Sequence, residues 1–117
     1  MTYPKKAVII RRVVENFVKQ SLLYDFYGLL LTKRQREIYE AYVLEDYSAA
    51  EIADGFKISR QAVHDNIKRT QGVLSEYEEK LGLVEKFLNI KEEVSKIESC
   101  EDLDQAKKIA ENIVEML

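Results

Sequence analysis

One short stretch, "SRQAVHDNIKR", gathers side chains whose types and spacing suit the surface of a nucleic acid. Arg60, Gln61, His64, Asp65 and Lys68 recur at intervals that place them along one outer face of a helix. Arg and Lys heads neutralise phosphates, while Arg, Gln and His offer donors and acceptors that meet base edges. Ser59 and Arg69 flank that face, where they address phosphate oxygens. The bland alternative is a solvated helix face, which surface polar residues often form. Asp65 works against phosphate contact, because an unpaired carboxylate repels it. It either accepts from a cytosine amino group or, as we favour, pairs with Arg69 one turn on. Catalysis fits poorly. His64 is the single histidine, and no serine, cysteine or carboxylate stands at a useful spacing to complete an acid–base pair with it.

The elements that must hold this face announce themselves through helix-start signals. Thr32 with Gln35, and Ser48 with Glu51, have the spacing of capping boxes, and Asp102 precedes Gln105 in the same way. Ser59 caps a further start, and Ile58 with Val63, like Tyr47 with Ile52, forms a hydrophobic staple. Each cap is worth ~1 kcal/mol, because it satisfies amides that a helix start leaves without partners. An early helix carries Leu22, Leu23, Phe26, Leu29 and Leu30 on one apolar face. The next, about 33–44, is expected to bury Ile38, Tyr42 and Val43. A short helix at 49–55 offers Ile52 and Ala53, and a long one runs over 60–81. Gly82 suits its C-cap, and two further helices fill 83–99 and 103–117. The fold class is therefore all-α: a helix-turn-helix core with extended C-terminal helices, and strands are not indicated.

The helix at 60–81 changes meaning along its length. Val63 and Ile67 continue into Leu74, Tyr77 and Leu81, with Thr70 filling one step. That stripe is longer than a three-helix core requires, so its second half is expected to pack on the C-terminal helices or on another subunit. Leu74, Tyr77 and Leu81 are accordingly the candidate partner or oligomer interface. Gly72 interrupts the helix at ~1 kcal/mol relative to alanine, for a bend, for close packing or for neither. The tyrosines mostly read as core edges, with stacking on unpaired bases as the alternative. "EYEEK" reads as a solvated acidic face or a contact for a basic segment of a second subunit.

Charge is unevenly spread. The chain has 18 Lys and Arg against 21 Asp and Glu, yet its first 36 residues hold eight basic and two acidic ones. A basic start on an acidic body implies an anionic partner or self-association. The chain is organised as a basic arm at 1–18, a helix-turn-helix domain at 19–82 and a C-terminal helical interaction segment at 83–117. The arm is either genuine or an over-extended start upstream of an initiation site near Val14. Cys100 is the one cysteine, which excludes an internal disulfide and, with a single histidine, a clustered zinc signature. No apolar run approaches a membrane span or the apolar core of a signal peptide. A cytoplasmic, non-enzymatic protein without cofactor or metal, and without direct membrane insertion, is expected.

The stretch "LLYDFYGLLLTKRQREIYEAYVLEDYSAAEIADGFKISRQAVHDNIKRTQGVLSEYEEKLGLVEKF" resembles the YlxM family, small bacterial proteins similar to the promoter-reading region four of sigma factors. The resemblance rests on "DFYGLLL", "LTKRQ", "SAAEIA", "SRQAVHDNIKR" and "YEEKLGL", in this order and spacing over 22–87. It implies an all-helical helix-turn-helix without a wing, and an accessory role in the signal recognition particle pathway. The nucleic acid would then be that particle's RNA or duplex DNA, with the particle's GTPase or its receptor as a protein partner. The other implied readings are a sequence-specific DNA-binding regulator and a protein-interaction adaptor with a relic helix-turn-helix. Lys57 departs from the family pattern, which commonly has glycine there. A left-handed lysine costs ~1 kcal/mol, unless Gly55 absorbs part of the turn.

Overall fold

Short polar side chains start the helices where expected. Thr32 Oγ1 accepts from Gln35 N–H at 3.2 Å, and Gln35 Oε1 returns the bond to Thr32 N–H at 3.1 Å. Ser48 Oγ accepts from Glu51 N–H at 3.1 Å. The Ser48 box does not close: Glu51 Oε1 accepts from the Ser48 hydroxyl at 3.1 Å. Asp102 caps through Asp104 N–H at 3.0 Å; Gln105 lies instead within 3.5 Å of the half-buried Cys100 thiol.

The computed structural model describes the backbone of residues 5–117 and the side chains of residues 16–117. Helix α1 spans Lys5–Tyr27 and passes through a 3-10 turn, Gly28–Leu30, to α2, Lys33–Tyr39. A π-helical turn, Glu40–Leu44, leads to α3, Ala49–Phe56, and α4, Arg60–Leu81. Helices α5, Leu83–Glu98, and α6, Leu103–Met116, complete the chain. No strand occurs among the described residues, so the protein is all-α. From Lys5 onward the stretch expected as an arm is part of α1. The chain divides into two compact units, residues 1–80 and 81–117.

In the first unit Ile38, Ile52, Ala53, Val63 and Ile67 form a buried cluster, flanked by Ala41, Ala49, Phe56 and Ile58. Burying a side chain of the Ile or Val class contributes ~1.5–3 kcal/mol. A tyrosine layer adjoins that cluster in sequence. Tyr24 stacks on Tyr39 with centroids 5.1 Å apart, and Tyr27 stacks on Tyr77 at 5.9 Å. Tyr27 hydroxyl donates to Glu78 Oε1 at 2.6 Å, and Tyr24 hydroxyl donates to Glu40. Burial pushes the Tyr39 phenol up to about 12. Burial, and next the Glu40 carboxylate, raises the Tyr24 phenol further. Tyrosine at the core edge is therefore the reading that holds for Tyr27 and Tyr39, both fully buried.

Three packing expectations need correction. On α1 the inward residues are Leu23 and Tyr27, whereas Phe26, Leu29 and Leu30 are exposed. The 3-10 turn ends the α-helical period at Gly28, so the two leucines leave the face extrapolated for them. On α2, Ile38 and Tyr39 are buried while Tyr42 is exposed. There a wide turn closes through Glu45 N–H to Glu40 oxygen at 2.9 Å, and Tyr42 lies within it, open to solvent. Finally, the second half of the α4 stripe finds a partner that the sequence did not suggest. Leu74 is fully buried, and Tyr77 lies on Tyr27 of α1.

Gly72 sits in the unbroken α4, and a Cβ placed there would meet nothing within 4 Å, so close packing is not its role. Gly28 is different. Its Cβ would lie 3.0 Å from the Tyr24 ring, so the tyrosine layer is built over a missing side chain.

In the second unit α5 and α6 pack on one another across a short turn. Gly82 takes φ 64°, the left-handed conformation expected of it, at the start of α5. Val84 is buried, whereas Leu88, Val94, Leu103, Val114 and Leu117 are exposed. No helix among the described residues is long and apolar enough to cross a membrane.

Candidate nucleic-acid interface

The turn between α3 and α4 decides which way the candidate face points. Lys57 adopts φ 58°, ψ 44°, ending α3 in the left-handed region where glycine is at ease. Gly55 stays helical within α3 and does not relieve it. Ile58 N–H then reaches Ala53 oxygen at 3.0 Å, closing the turn over the small residue. Ser59 Oγ accepts from Ala62 N–H at 3.0 Å and starts α4. Its oxygen is thus committed to the cap, while its hydroxyl proton stays available to a phosphate.

With α4 launched in this direction, Val63 is completely buried and Ile67 nearly so. The opposite face carries Arg60, Gln61, His64, Asp65, Lys68 and Arg69, every one exposed. The residues singled out from the sequence are thus brought together on one surface. Arg60, Lys68 and Arg69 make no ion pair with any described residue, so their charges face solvent uncompensated at contact distance. Asp65 is held differently from expectation. It accepts from Gln61 Nε2 at 3.0 Å, one turn earlier, and not from Arg69. Gln61 is thereby tethered with one amide hydrogen already used. Arg69 makes no ion pair with a described residue.

The surroundings limit where an anion can sit. A groove of about 640 Å³ runs along α3 to the start of α4, lined by Glu51, Asp54, Lys57 and Arg60 around Ala50, Ala53 and Ile58. Glu51 and Asp54 make the α3 side repulsive to phosphate, so the favourable path lies along α4. On its other side the face meets aromatic residues. Tyr42 packs edge-on against His64 with ring centres 6.5 Å apart. Phe17, Tyr42, Val43, Asp46 and Tyr47 line an open cleft of about 390 Å³. Sequence reasoning missed this grouping because it assigned Tyr42 to the core. The one hint was that Tyr39, at the adjacent helical position, is an equally good core residue.

Of the expected interface residues on the α4 stripe, Leu74 is buried and Tyr77 is engaged with Tyr27, whereas Leu81 is 53% exposed. Lys80 pairs with Glu76 at 3.0 Å, as a solvated charged face would. No group of three or more potential metal ligands is found among the described residues.

Residues 14–115 match a family of helix-turn-helix proteins described as YlxM / p13 like. A UPF0122 protein of Caldanaerobacter subterraneus subsp. tengcongensis is 51% identical over 86 residues, covering 74% of each chain. One from Acetivibrio thermocellus is 44% identical over 115 residues, 89% of this chain and 98% of the relative. One from Halalkalibacterium halodurans is 45% identical over 98 residues, 78% of this chain and 90% of the relative.

Proposed function

Because this chain belongs to the YlxM / p13-like helix-turn-helix family, we propose that it binds nucleic acid along the exposed face of α4. We further propose that it serves the signal recognition particle pathway as a non-enzymatic accessory. The observation that carries the first part is the two-sidedness of α4. Val63 and Ile67 are buried behind a face on which Arg60, Lys68 and Arg69 make no ion pair with any described residue. Cations held on a rigid helix and left uncompensated attract a polyanion, and they do so without a catalytic group. The pathway assignment rests on the family resemblance alone, and it makes the particle's RNA the natural ligand and its GTPase or receptor a protein partner.

In this reading Ser59, Arg60, Lys68 and Arg69 address phosphates, and His64 and the free side of Gln61 approach bases. Self-association is a further part of the proposal. Leu81, Leu88, Leu103 and Val114 expose apolar surface in the second unit, which suits a second copy or a protein partner.

The test is a pull-down from a native cytoplasmic extract, with bound RNA, DNA and protein all identified. Recovery of the signal recognition particle RNA or its GTPase supports the proposal. Recovery of specific duplex DNA replaces it with the regulator that a helix-turn-helix equally fits. Recovery of protein without any nucleic acid replaces it with an adaptor.

A further inference from the structure

The cleft beside His64 is an aromatic site that the helix-turn-helix reading leaves unused. Its form follows from the wide turn after α2. Glu45 N–H bonds to Glu40 oxygen and Tyr47 N–H to Ala41 oxygen, each at 2.9 Å, and the segment so gathered carries Tyr42 open to solvent. Asp46 sits at φ 57°, a left-handed position that aspartate tolerates better than most residues. Phe17 of α1 and Tyr47 complete the walls. Phe17, Tyr42 and Tyr47 are 55%, 38% and 49% exposed, a large aromatic area left open to solvent at one place. Three rings and one carboxylate around an open slot match the demands of a single planar heterocycle. The rings supply stacking, and the carboxylate accepts from ring N–H groups.

Position narrows the ligand. Tyr42 touches His64, and Arg60 and Lys68 lie one helical turn to either side of that histidine. A strand whose phosphates follow Arg60 and Lys68 therefore passes the mouth of the cleft. A fully paired duplex is the poorer fit. In that mode the first helix of the motif crosses the backbone, and here α3 presents Glu51 and Asp54. We propose that the cleft of Phe17, Tyr42, Asp46 and Tyr47 takes one unpaired guanine from a nucleic-acid strand lying along α4. Guanine is selected because its Watson–Crick edge offers two adjacent donors, N1–H and the 2-amino group, to the two oxygens of Asp46. Adenine, cytosine and uracil each offer one donor group there.

This inference rests on the nucleic-acid reading, and the experiment separates the two. Fluorescence anisotropy at low salt compares an RNA hairpin carrying one bulged guanosine with the same hairpin lacking the bulge, and repeats the pair in DNA. The bulged hairpin binds ~10-fold more tightly in at least one backbone, the size of one base–aromatic stack. Inosine at the bulge, which lacks the 2-amino group, loses about 5-fold of that gain. Tyr42→Ala and Tyr47→Ala bring the bulged hairpin to the affinity that the same variant has for the paired one, and Tyr47→Ala leaves the paired one unchanged. Asp46→Asn, which tolerates the same backbone, abolishes discrimination between guanosine and inosine. Melting of each variant confirms folding, since all three side chains are exposed. Equal affinity for bulged and paired hairpins in both backbones overturns the guanine site and leaves the nucleic-acid reading standing. A bulge preference that survives both alanine variants also overturns it. Absence of any binding overturns both.

Discussion

Raising the pH should unfold the first unit through Tyr39. Its phenol is held at about 12 against the ordinary 10.0, because burial disfavours the phenolate. In the unfolded chain the phenol ionises from pH 10 upward, while the folded chain keeps its proton. The stabilisation is therefore complete below pH 10 and is lost as pH rises through 12. The full window is worth ~2.7 kcal/mol, and about 1.4 kcal/mol is gone by about pH 11. Tyr39→Phe removes the titration and also the hydroxyl's bonds to Gln20, Oε1 at 3.3 Å and the backbone oxygen at 3.5 Å. Those long bonds are worth about 0.5–1.5 kcal/mol together at neutral pH. The variant should then be less stable than the parent near neutrality, cross it between about pH 10 and 11, and be more stable above that. Urea unfolding followed by circular dichroism at a series of pH values gives both curves. Titration of lysine affects both proteins alike and cancels in the comparison, and because Tyr24 stacks on Tyr39 and feels its charge, both proteins carry Tyr24→Phe. Parallel curves that never cross would refute the reasoning, because Tyr39 would then ionise as freely folded as unfolded.

Four further outcomes are expected. Thr70 is fully buried and its Oγ1 has no hydrogen-bond partner among the described residues, so Thr70→Val should raise stability by about 1–2 kcal/mol in chemical denaturation, since the shape is kept and an unpaired hydroxyl is removed. Lys57→Gly relieves a left-handed lysine and should stabilise by up to ~1 kcal/mol, less whatever flexibility glycine adds to the unfolded chain. Gly72→Ala, in open space on α4, should raise the melting temperature by an amount equivalent to ~1 kcal/mol, whereas Gly28→Ala, meeting the Tyr24 ring at 3.0 Å, should lower it. Sedimentation should show mass rising with concentration, and Leu103→Glu with Val114→Glu should return it to the monomer value.

The helix-turn-helix was legible because its signals are local. A cap at Ser59 and two inward residues at Val63 and Ile67 determine which side of α4 faces out, and those lie within ten residues of one another. Lys57 came into view only through the family resemblance, which commonly has glycine there, with Gly55 as the alternative; the turn decides for Lys57 at φ 58°. What escaped depends on departures from regular helical period. The 3-10 turn at Gly28–Leu30 displaced Leu29 and Leu30, and the π-helical turn at Glu40–Leu44 exchanged Tyr39 for Tyr42 in the core. Neither turn has a composition that periodicity detects. Asp65 was paired forward with Arg69 on charge, yet it accepts from the neutral Gln61 behind it. The tyrosine layer joins Tyr27 to Tyr77 across fifty positions of chain, a distance no window of pattern spans. The aromatic cleft depended on the wide turn, and it was hidden with it.

The salt dependence of nucleic-acid affinity tests the exposed face of α4 most directly. With the bulged RNA hairpin as probe, the logarithm of affinity should fall linearly with the logarithm of salt concentration, because bound cations release counterions. Arg60→Ala and Lys68→Ala should each weaken binding and each reduce that slope by about one, while melting stays unchanged for two exposed side chains. Unchanged affinity and slope in both variants would contradict a ligand seated on α4.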